Sequence, residues 1–351
     1  MLGRKQTLVL LVCVLGQSVS DQAIACDLCG VFDTVRTYEM EKNAVRLGVA
    51  EHFTFFDTVQ HEGTYAENRG DERLSSSITQ FTGSYDLSDV LSLQVTLPLI
   101  HREYRALDSG PGSLTGVGDV SLLVRAVPYH YSDADNTVAI QLFGGVELPT
   151  GDADRLGDDH GDDEVFEEHA PAIEESIDQH ESEDQHGQAT HVRHGGVSHE
   201  TEPVSALHGH DLAFGSGSVD FPIGLSFFLR RGMAVLAGDA GYTFRTDGDE
   251  QYRHADDFLW SVGPGGLFQI AEHVTMLGRI RLSGEYKKKD HSQGQLDDST
   301  AVRSIFWGPE LSLTSGAWRF DLGSDFPIDI NNSGTQLVAD YRLRGAVVMR
   351  F

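Results

Sequence analysis

Apolar and polar residues alternate along the C-terminal part of the chain, from Val338 to Phe351. One set of alternating positions carries tyrosine, leucine, valine, methionine and phenylalanine, and the other carries aspartate and three arginines. A period of two residues is that of a β-strand, because successive side chains point to opposite faces. In an outer-membrane barrel the apolar face contacts lipid, whereas in a soluble sandwich it points inward. A strand that finishes on an aromatic residue favours the barrel.

The same alternation recurs in twelve stretches of the sequence. Short turns and long connections alternate between these stretches, as they do between the strands of bacterial outer-membrane barrels. We therefore predict an all-β fold, a single transmembrane antiparallel up-and-down β-barrel of about 12 strands over residues 44–351. A soluble protein of two packed sheets is the alternative. The predicted strands are 44–58, 75–86, 90–105, 118–129, 136–149, 216–229, 233–246, 257–270, 273–287, 300–314, 317–327 and 338–351, and the predicted long loops are 59–74, 106–117, 150–215, 247–256, 288–299 and 328–337.

The N-terminal residues have the pattern of a cleavable secretory signal. A basic start precedes an apolar run over residues 8–15, and residues 23–25 form an A-x-A cleavage site. The run is too short to span a bilayer as a helix. We expect residues 1–25 to be a signal peptide and residues 26–43 to form a periplasmic segment. The expected location is the cell outer membrane of a Gram-negative-type bacterium.

The formal net charge is −28, and much of the negative charge lies in one connection, residues 150–215. Such a charge argues against a nucleic-acid partner, since phosphate backbones bind basic surfaces. A chain of 351 residues could form two soluble domains or one large barrel. For the barrel, the expected partners are outer-membrane lipid and lipopolysaccharide, the barrel assembly machinery that would recognise Phe351, and a small solute.

Charged residues follow the polar face of the last four predicted strands. Charges in a pore select among ions through their local field, so these residues would set the selectivity of a solute path. Opposite charges on neighbouring strands could instead pair across the lumen and hold a narrow barrel closed. The predicted luminal arginines are Arg279, Arg281, Arg303, Arg319, Arg342 and Arg344, and the predicted luminal acids are Glu285, Glu310, Asp321, Asp325 and Asp340.

The connection 150–215 is rich in histidine and acidic residues. Such a segment cannot bury a core, so we predict a disordered external loop. Imidazole and carboxylate groups are ligands for Zn, Cu and Ni, which the loop would bind loosely because no fixed ligand spacing is present. The alternative is a solvated acidic loop whose histidines protonate as the pH falls. The candidate metal ligands are His160, His169, His180, His186, His191, His194, His199, His208 and His210.

Cys26 and Cys29 form a CxxC pair at the start of the expected mature chain. Such a pair binds a soft metal or cycles between thiol and disulfide. In an oxidising periplasm a local disulfide is the alternative. Because Cys26 follows a small residue, lipidation of this cysteine is a further alternative.

The sequence carries no clear catalytic arrangement. A serine hydrolase needs serine and histidine oriented together beside a third group. His291-Ser292 in a predicted loop is the nearest pair, but adjacent residues of an extended segment point to opposite sides. We therefore predict that the protein is not an enzyme and requires no cofactor.

Three glycine-rich motifs at predicted strand ends resemble those of a known family. They are Gly116-Val117-Gly118-Asp119, the segment 147–152 with sequence ELPTGD, and the segment 215–221 with sequence GSGSVDF. In this order they are similar to motifs of the outer-membrane transporter-like proteins grouped with putative phenol meta-degradation pathway barrels. The resemblance implies a channel for small, hydrophobic or aromatic solutes. A metal-binding surface protein, in which the barrel is only a membrane anchor, is the alternative.

Overall fold

The computed structural model describes residues 40–107, 109–157 and 205–351. The expected signal peptide, Cys26 and Cys29 lie outside these residues. The seven candidate histidines from His160 to His199 also lie outside them. The expectations for these segments therefore stay predictions.

Twelve long strands form one closed antiparallel barrel, as the sequence predicted. Each strand pairs with the next, and the last strand pairs with the first over a register that runs from Arg46–Arg350 to His61–Thr335. The strands are β1 (Val45–His61), β2 (Arg73–Ser88), β3 (Leu91–Ala106), β4 (Val120–Ser132), β5 (Asn136–Leu148), β6 (Phe221–Arg231), β7 (Ala234–Phe244), β8 (Asp257–Ala271), β9 (Val274–Lys287), β10 (Val302–Ser315), β11 (Trp318–Asn332) and β12 (Thr335–Arg350).

The remaining elements lie in the connections at one end of the barrel, which we call the loop end. None of the helices among the described residues is long or apolar enough to cross a bilayer. The short strands are Thr64–Ala66, Gly110–Val117, Tyr252–Arg253, His291–Ser292 and Gln295–Leu296, and the 3-10 helices are Asp154–Gly157, Gly209–Asp211 and Asp249–Gln251.

Two predicted long loops are wrong because the strands extend further than their apolar rows. In the predicted loop 328–337, β11 runs to Asn332 and β12 begins at Thr335, which leaves a two-residue turn. Gly334 has a φ of +58°, a left-handed conformation that glycine adopts without steric cost. In the predicted loop 106–117, Gly110–Val117 forms a strand that pairs with β3. Backbone hydrogen bonds between strands do not depend on apolar side chains, so these strands continue beyond the residues that alternate.

The outer surface of the wall is apolar. On β3, Leu93, Val95, Leu97 and Leu99 are 39–45% exposed, whereas Ser92 on the opposite face is 2% exposed. Burying this row against lipid stabilises the barrel in a membrane, and no row of this kind would be left exposed by two packed sheets. The sandwich alternative is therefore wrong, and the protein is an outer-membrane barrel.

The terminal strand has the orientation that its pattern predicted. Leu343, Val347 and Phe351 are 46%, 39% and 62% exposed on the outer face. Arg342 and Ala346, on the alternate positions, are buried at 9% and 6%. The apolar row of β12 therefore faces lipid and its basic row faces the lumen.

The lumen contains three layers of side chains. Near the short turns, an apolar cluster that includes Phe228 and Leu277 packs against Met40, which precedes the barrel. A layer of paired charges follows. At the loop end, Phe56, Leu74 and other residues of the wall pack against the chain that precedes β6. We call this inserted chain, residues 205–215, the plug.

The wall is split between β11 and β12 toward the loop end. Among the described residues, pairing between these strands runs from Trp318–Met349 and ends at Asp325–Arg342. Beyond this point β11 pairs only with β10, and β12 only with β1. At the free edge of β12, the amide of Leu337 donates a hydrogen bond of 3.0 Å to the carbonyl of Ala206. The plug therefore covers the split from inside.

Candidate functional site

A chain of paired charges lies in the lumen along four consecutive strands, β9 to β12. Arg279 Nε lies 2.7 Å from Glu310, and Arg344 lies 3.4 Å from the same carboxylate. Arg344 Nε also lies 2.9 Å from Asp325, which Arg281 approaches to 3.3 Å. These side chains are at most 18% exposed. Ion pairs of this kind satisfy charges that would be costly to bury alone, so these arginines act first as links between neighbouring strands.

A second pair links strands that are not neighbours. Arg342 on β12 donates to both oxygens of Glu285 on β9, at 3.0 and 3.2 Å. Ser304 donates a further hydrogen bond to this carboxylate. The guanidinium carbon of Arg342 also lies 4.1 Å from the centre of the Phe306 ring. Such stacking of a cation on an aromatic face adds to the ion pair, and the contact joins the charged layer to the apolar layer above it.

Two of the predicted luminal residues lie elsewhere. Arg303 is 58% exposed and pairs at 3.2 Å with Asp329, outside the lumen. Arg303 and Glu310 are an odd number of residues apart, so a regular strand places them on opposite faces. Asp340 accepts hydrogen bonds from Thr58 and from the amide of Asp57, at a bulge in β1. It stabilises this irregularity instead of joining the luminal charges.

The remaining predicted pair lies nearer the short turns. Arg319 Nε is 3.0 Å from Asp321, two residues along β11, and both side chains are about one-eighth exposed. Both residues lie on β11, so this ion pair does not link two strands as the pairs of the charged layer do.

The three glycine-rich motifs meet where the plug leaves the wall. Asp119 accepts hydrogen bonds from the amides of Thr150, Gly151 and Ser216, at 2.9, 2.8 and 2.7 Å. It also accepts one from the hydroxyl of Ser216. One buried carboxylate therefore ties together the two ends of the 150–215 connection. The sequence showed these motifs but not that they converge.

A second carboxylate cluster stabilises the same region. Arg245 lies 2.7 Å from Asp220 and 3.0 Å from Asp257, and all three side chains are at most 5% exposed. Asp220 also accepts a hydrogen bond from the amide of Thr246. The aspartate of the third motif thus fixes the start of β6 against β7 and β8.

The plug itself is held by charged residues of the wall. Glu72 accepts hydrogen bonds from the hydroxyl of Ser205 at 2.6 Å and the amide of Ala206 at 2.9 Å. Arg102 donates one of 2.7 Å to the carbonyl of Ala213. We expected that no part of the connection 150–215 packs against the barrel. This expectation is wrong for residues 205–215, because this segment contains apolar residues although the connection as a whole is polar.

Two of the candidate metal ligands lie in the plug. His208 and His210 stack at 5.3 Å between ring centres, and Asp211 follows them on a 3-10 turn. One ligand atom from each of the three residues lies within 4.8 Å of the other two. Burial alone would raise the pKa of the Asp211 carboxyl, but the rings of His210 and His208 hold that pKa below its usual range.

A buried aspartate in the connection after β9 lies beside this turn. Asp290 accepts hydrogen bonds from the hydroxyl of Tyr252 at 2.6 Å and the amide of Ala255 at 2.7 Å, and Lys287 Nζ lies 2.8 Å from it. Burial alone would raise the pKa of the Asp290 carboxyl, but the Lys287 ammonium holds it well below its usual range. Sequence reasoning missed this cluster, because its members come from different connections.

Prolines interrupt the wall at two further places. Pairing between β8 and β9 passes from Val262–Leu282 to Gly265–Arg279 around Pro264, and pairing between β10 and β11 is interrupted around Pro309. A groove at these breaks is lined by lipid-facing residues, such as Leu311, and by luminal Arg279. Proline cannot donate to the ladder, so the wall is thin there.

Comparison with solved structures finds a similar fold in an outer-membrane channel. The COG4313 outer membrane channel from Pseudomonas putida F1 has a TM-score of 0.59 and 14% identity, and the match covers 90% of this chain and 98% of that one. The β domain of the Bordetella autotransporter BrkA is less similar, with a TM-score of 0.41, 9% identity and coverage of 87% and 99%. The monoaromatic hydrocarbon channel CymD has a TM-score of 0.35, 10% identity and coverage of 90% for each chain.

No protein-family model matches the chain, and no curated protein is similar to it in sequence. At this identity the likeness concerns the fold, which agrees with the closed wall and its apolar exterior. The fold is therefore that of an outer-membrane transporter-like β-barrel, as the sequence predicted.

Proposed function

We propose that the protein is an outer-membrane channel for small apolar or aromatic solutes. The observation that carries this proposal is the split between β11 and β12, which the plug covers at the Leu337–Ala206 hydrogen bond. The description of the structurally similar protein from Pseudomonas putida F1 as an outer membrane channel supports it.

Part of the cavity beneath the plug is apolar. Phe56, Leu74, Val302, Phe306 and Leu337 line this part, and charged side chains, among them Arg102, Glu285 and Lys287, line the rest. An apolar molecule that enters at the loop end would gain free energy there by leaving water. The charged layer below would hold it back, because an apolar solute cannot replace the hydrogen bonds of the buried ion pairs. We infer that the solute leaves sideways into the membrane after residues 205–207 move away from β12.

The test is uptake of a radiolabelled monoaromatic hydrocarbon by cells that express the chain in place of their own channel for such compounds. We expect uptake to fall about tenfold in Leu74→Asp, which places a charge in the cavity lining. Leu296→Asp adds the same charge at a position that is 58% exposed at the loop end, and should leave uptake unchanged. A heat-modifiable shift on gels verifies that both variants fold. Uptake no faster than in cells without the protein would contradict the proposal.

One observation favours the second candidate function, a metal-binding surface protein anchored by its barrel. The described residues fill the lumen from Met40 through the charged layer to the plug. Passage of an aromatic solute, measured together with conductance across a planar bilayer, separates the two functions. An anchor stays closed at every voltage and passes no aromatic solute, whereas the proposed channel passes the solute even where its ionic conductance is small.

A further inference from the structure

We propose that His208, His210 and Asp211 form a defined site for a divalent transition-metal ion of the Zn²⁺ type, and that the ion clamps the plug. This site goes beyond the loose binding expected of the whole histidine-rich connection. It also stands apart from the proposed channel function, because it concerns how the plug is held and not what passes it.

The distances between the donor atoms match a metal site. His208 Nδ1 lies 3.6 Å from one carboxylate oxygen of Asp211, and His210 Nε2 lies 3.4 Å from the other. In a tetrahedral zinc site with ligand distances of about 2.0–2.1 Å, neighbouring donor atoms are about 3.3 Å apart. The separations exceed those of good hydrogen bonds but need only small side-chain shifts to accept an ion.

The environment suits an ion that is held by three protein ligands and keeps one open position. The side chains of His208, His210 and Asp211 are 17%, 4% and 20% exposed. His208 Nδ1 is buried and faces the Asp211 carboxylate. Two imidazoles and a carboxylate are a common donor set for zinc, and a water molecule can complete the tetrahedron.

The backbone around the three residues is already fixed. The amide of His208 donates to the Asp211 carboxylate at 3.0 Å, which holds the carboxylate over the turn. On one side Ala206 is bound to Glu72 and to β12, and on the other side Ala213 is bound to Arg102. The ligands therefore come from one short segment whose two ends are both anchored to the wall, on the side formed by β12, β1, β2 and β3, and an ion there would stiffen the whole plug.

The charged groups that face the site are partly paired with one another. Lys287 and Arg102 line the same cavity as His210 and Asp211. The ammonium of Lys287 is 2.8 Å from Asp290, and Arg102 donates to the carbonyl of Ala213. The strongly acidic chain attracts metal ions from solution.

The experiment titrates the refolded full-length mature protein with Zn²⁺ by calorimetry, and with Co²⁺ by visible absorption. The test variant is the double substitution His208→Ala and His210→Ala. The matched control is His191→Ala with His194→Ala, which also removes two histidines of the same connection. Hydrogen exchange of residues 205–215, with and without Zn²⁺, measures whether the ion clamps the plug. None of these measurements depends on transport, so failure here is distinct from failure of the channel proposal.

We expect one tight Zn²⁺ equivalent in the wild type and in the control. The test variant should bind that equivalent at least about 100-fold more weakly, because loss of groups that only support a ligand already costs 10–100-fold. Zn²⁺ should slow exchange of the plug amides at least about tenfold in the wild type and not in the test variant. Equal Zn²⁺ affinity in the test variant and the wild type, or loss of the tight equivalent in the control, would overturn the site. Tight binding without slower exchange would overturn the clamp.

Discussion

Arg342 on β12 binds Glu285 on β9 through two hydrogen bonds of 3.0 and 3.2 Å, although two strands separate them in the wall. The contact reaches past two strands and couples the split edge of β12 to β9. Since Phe306 stacks on the same guanidinium, this pair lies at the floor of the cavity beneath the plug.

Removing Arg342 should destabilise the barrel strongly. Arg342→Ala leaves Glu285 buried without its cation, which typically costs about 3–5 kcal/mol. Arg342→Met with Glu285→Gln removes both charges and should recover most of that loss. Urea unfolding in detergent micelles, followed by tryptophan fluorescence, measures both variants. A double variant no more stable than Arg342→Ala would show that the pair is not a coupled unit.

Asp119 should hold the base of the 150–215 connection. Asp119→Ala removes the acceptor of four hydrogen bonds and leaves buried amides without partners, each worth about 1–3 kcal/mol when unsatisfied. We expect limited proteolysis near residues 150–157 to accelerate at least tenfold. Asp329→Ala, which removes an exposed carboxylate, is the control and should cleave at the wild-type rate. Equal protection of both variants would contradict this role.

Gly151 should not tolerate a side chain. A Cβ there would lie 2.8 Å from Cα of Gly215, and backbone cannot move aside as the end of a flexible side chain can. Gly151→Ala should therefore lower the melting temperature and loosen the plug. Gly278→Ala is the matched control, because a Cβ at Gly278 meets nothing within 4 Å. Similar melting temperatures for the two variants would mean that the close approach at Gly151 relaxes without cost.

Phe351 should act in assembly more than in stability. It is 62% exposed on the lipid face at the end of β12, where assembly machinery could bind it. Deleting Phe351 should lower the heat-modifiable fraction in the outer membrane several-fold. Phe326→Ala removes another outward aromatic, 42% exposed, and should assemble normally. Normal insertion of the deletion variant would remove this role.

Alternation predicted the wall well, since lipid on one side imposes one chemistry on every second residue of each strand. The same alternation predicted the face on which Arg279, Arg342 and Arg344 lie, which is the inner face of the wall. It failed for Asp340, because a bulge changes the face on which later residues lie. The luminal prediction for Arg303 was wrong because it did not follow the alternation, which places Arg303 on the face opposite Glu310.

The contacts between distant segments could not be predicted. Whether the luminal charges form ion pairs depends on which side chains lie close together inside the barrel. The order of residues in the sequence does not give these distances. The site around Asp119 combines three motifs whose convergence needs the closed barrel. His208 and His210 stood among nine similar histidines, and only the packing of the plug separates them from the others.

We propose that the solute leaves through the split that the plug covers. A disulfide between Ala206→Cys and Leu337→Cys should lock the plug, because residues joined by a backbone hydrogen bond between extended segments lie within disulfide reach. The measurement is uptake of a labelled monoaromatic hydrocarbon by cells that express the locked protein, before and after reduction, with the wild type treated identically. We expect uptake to be lost in the oxidised variant and restored by reduction. Full uptake with the plug locked would contradict the claim.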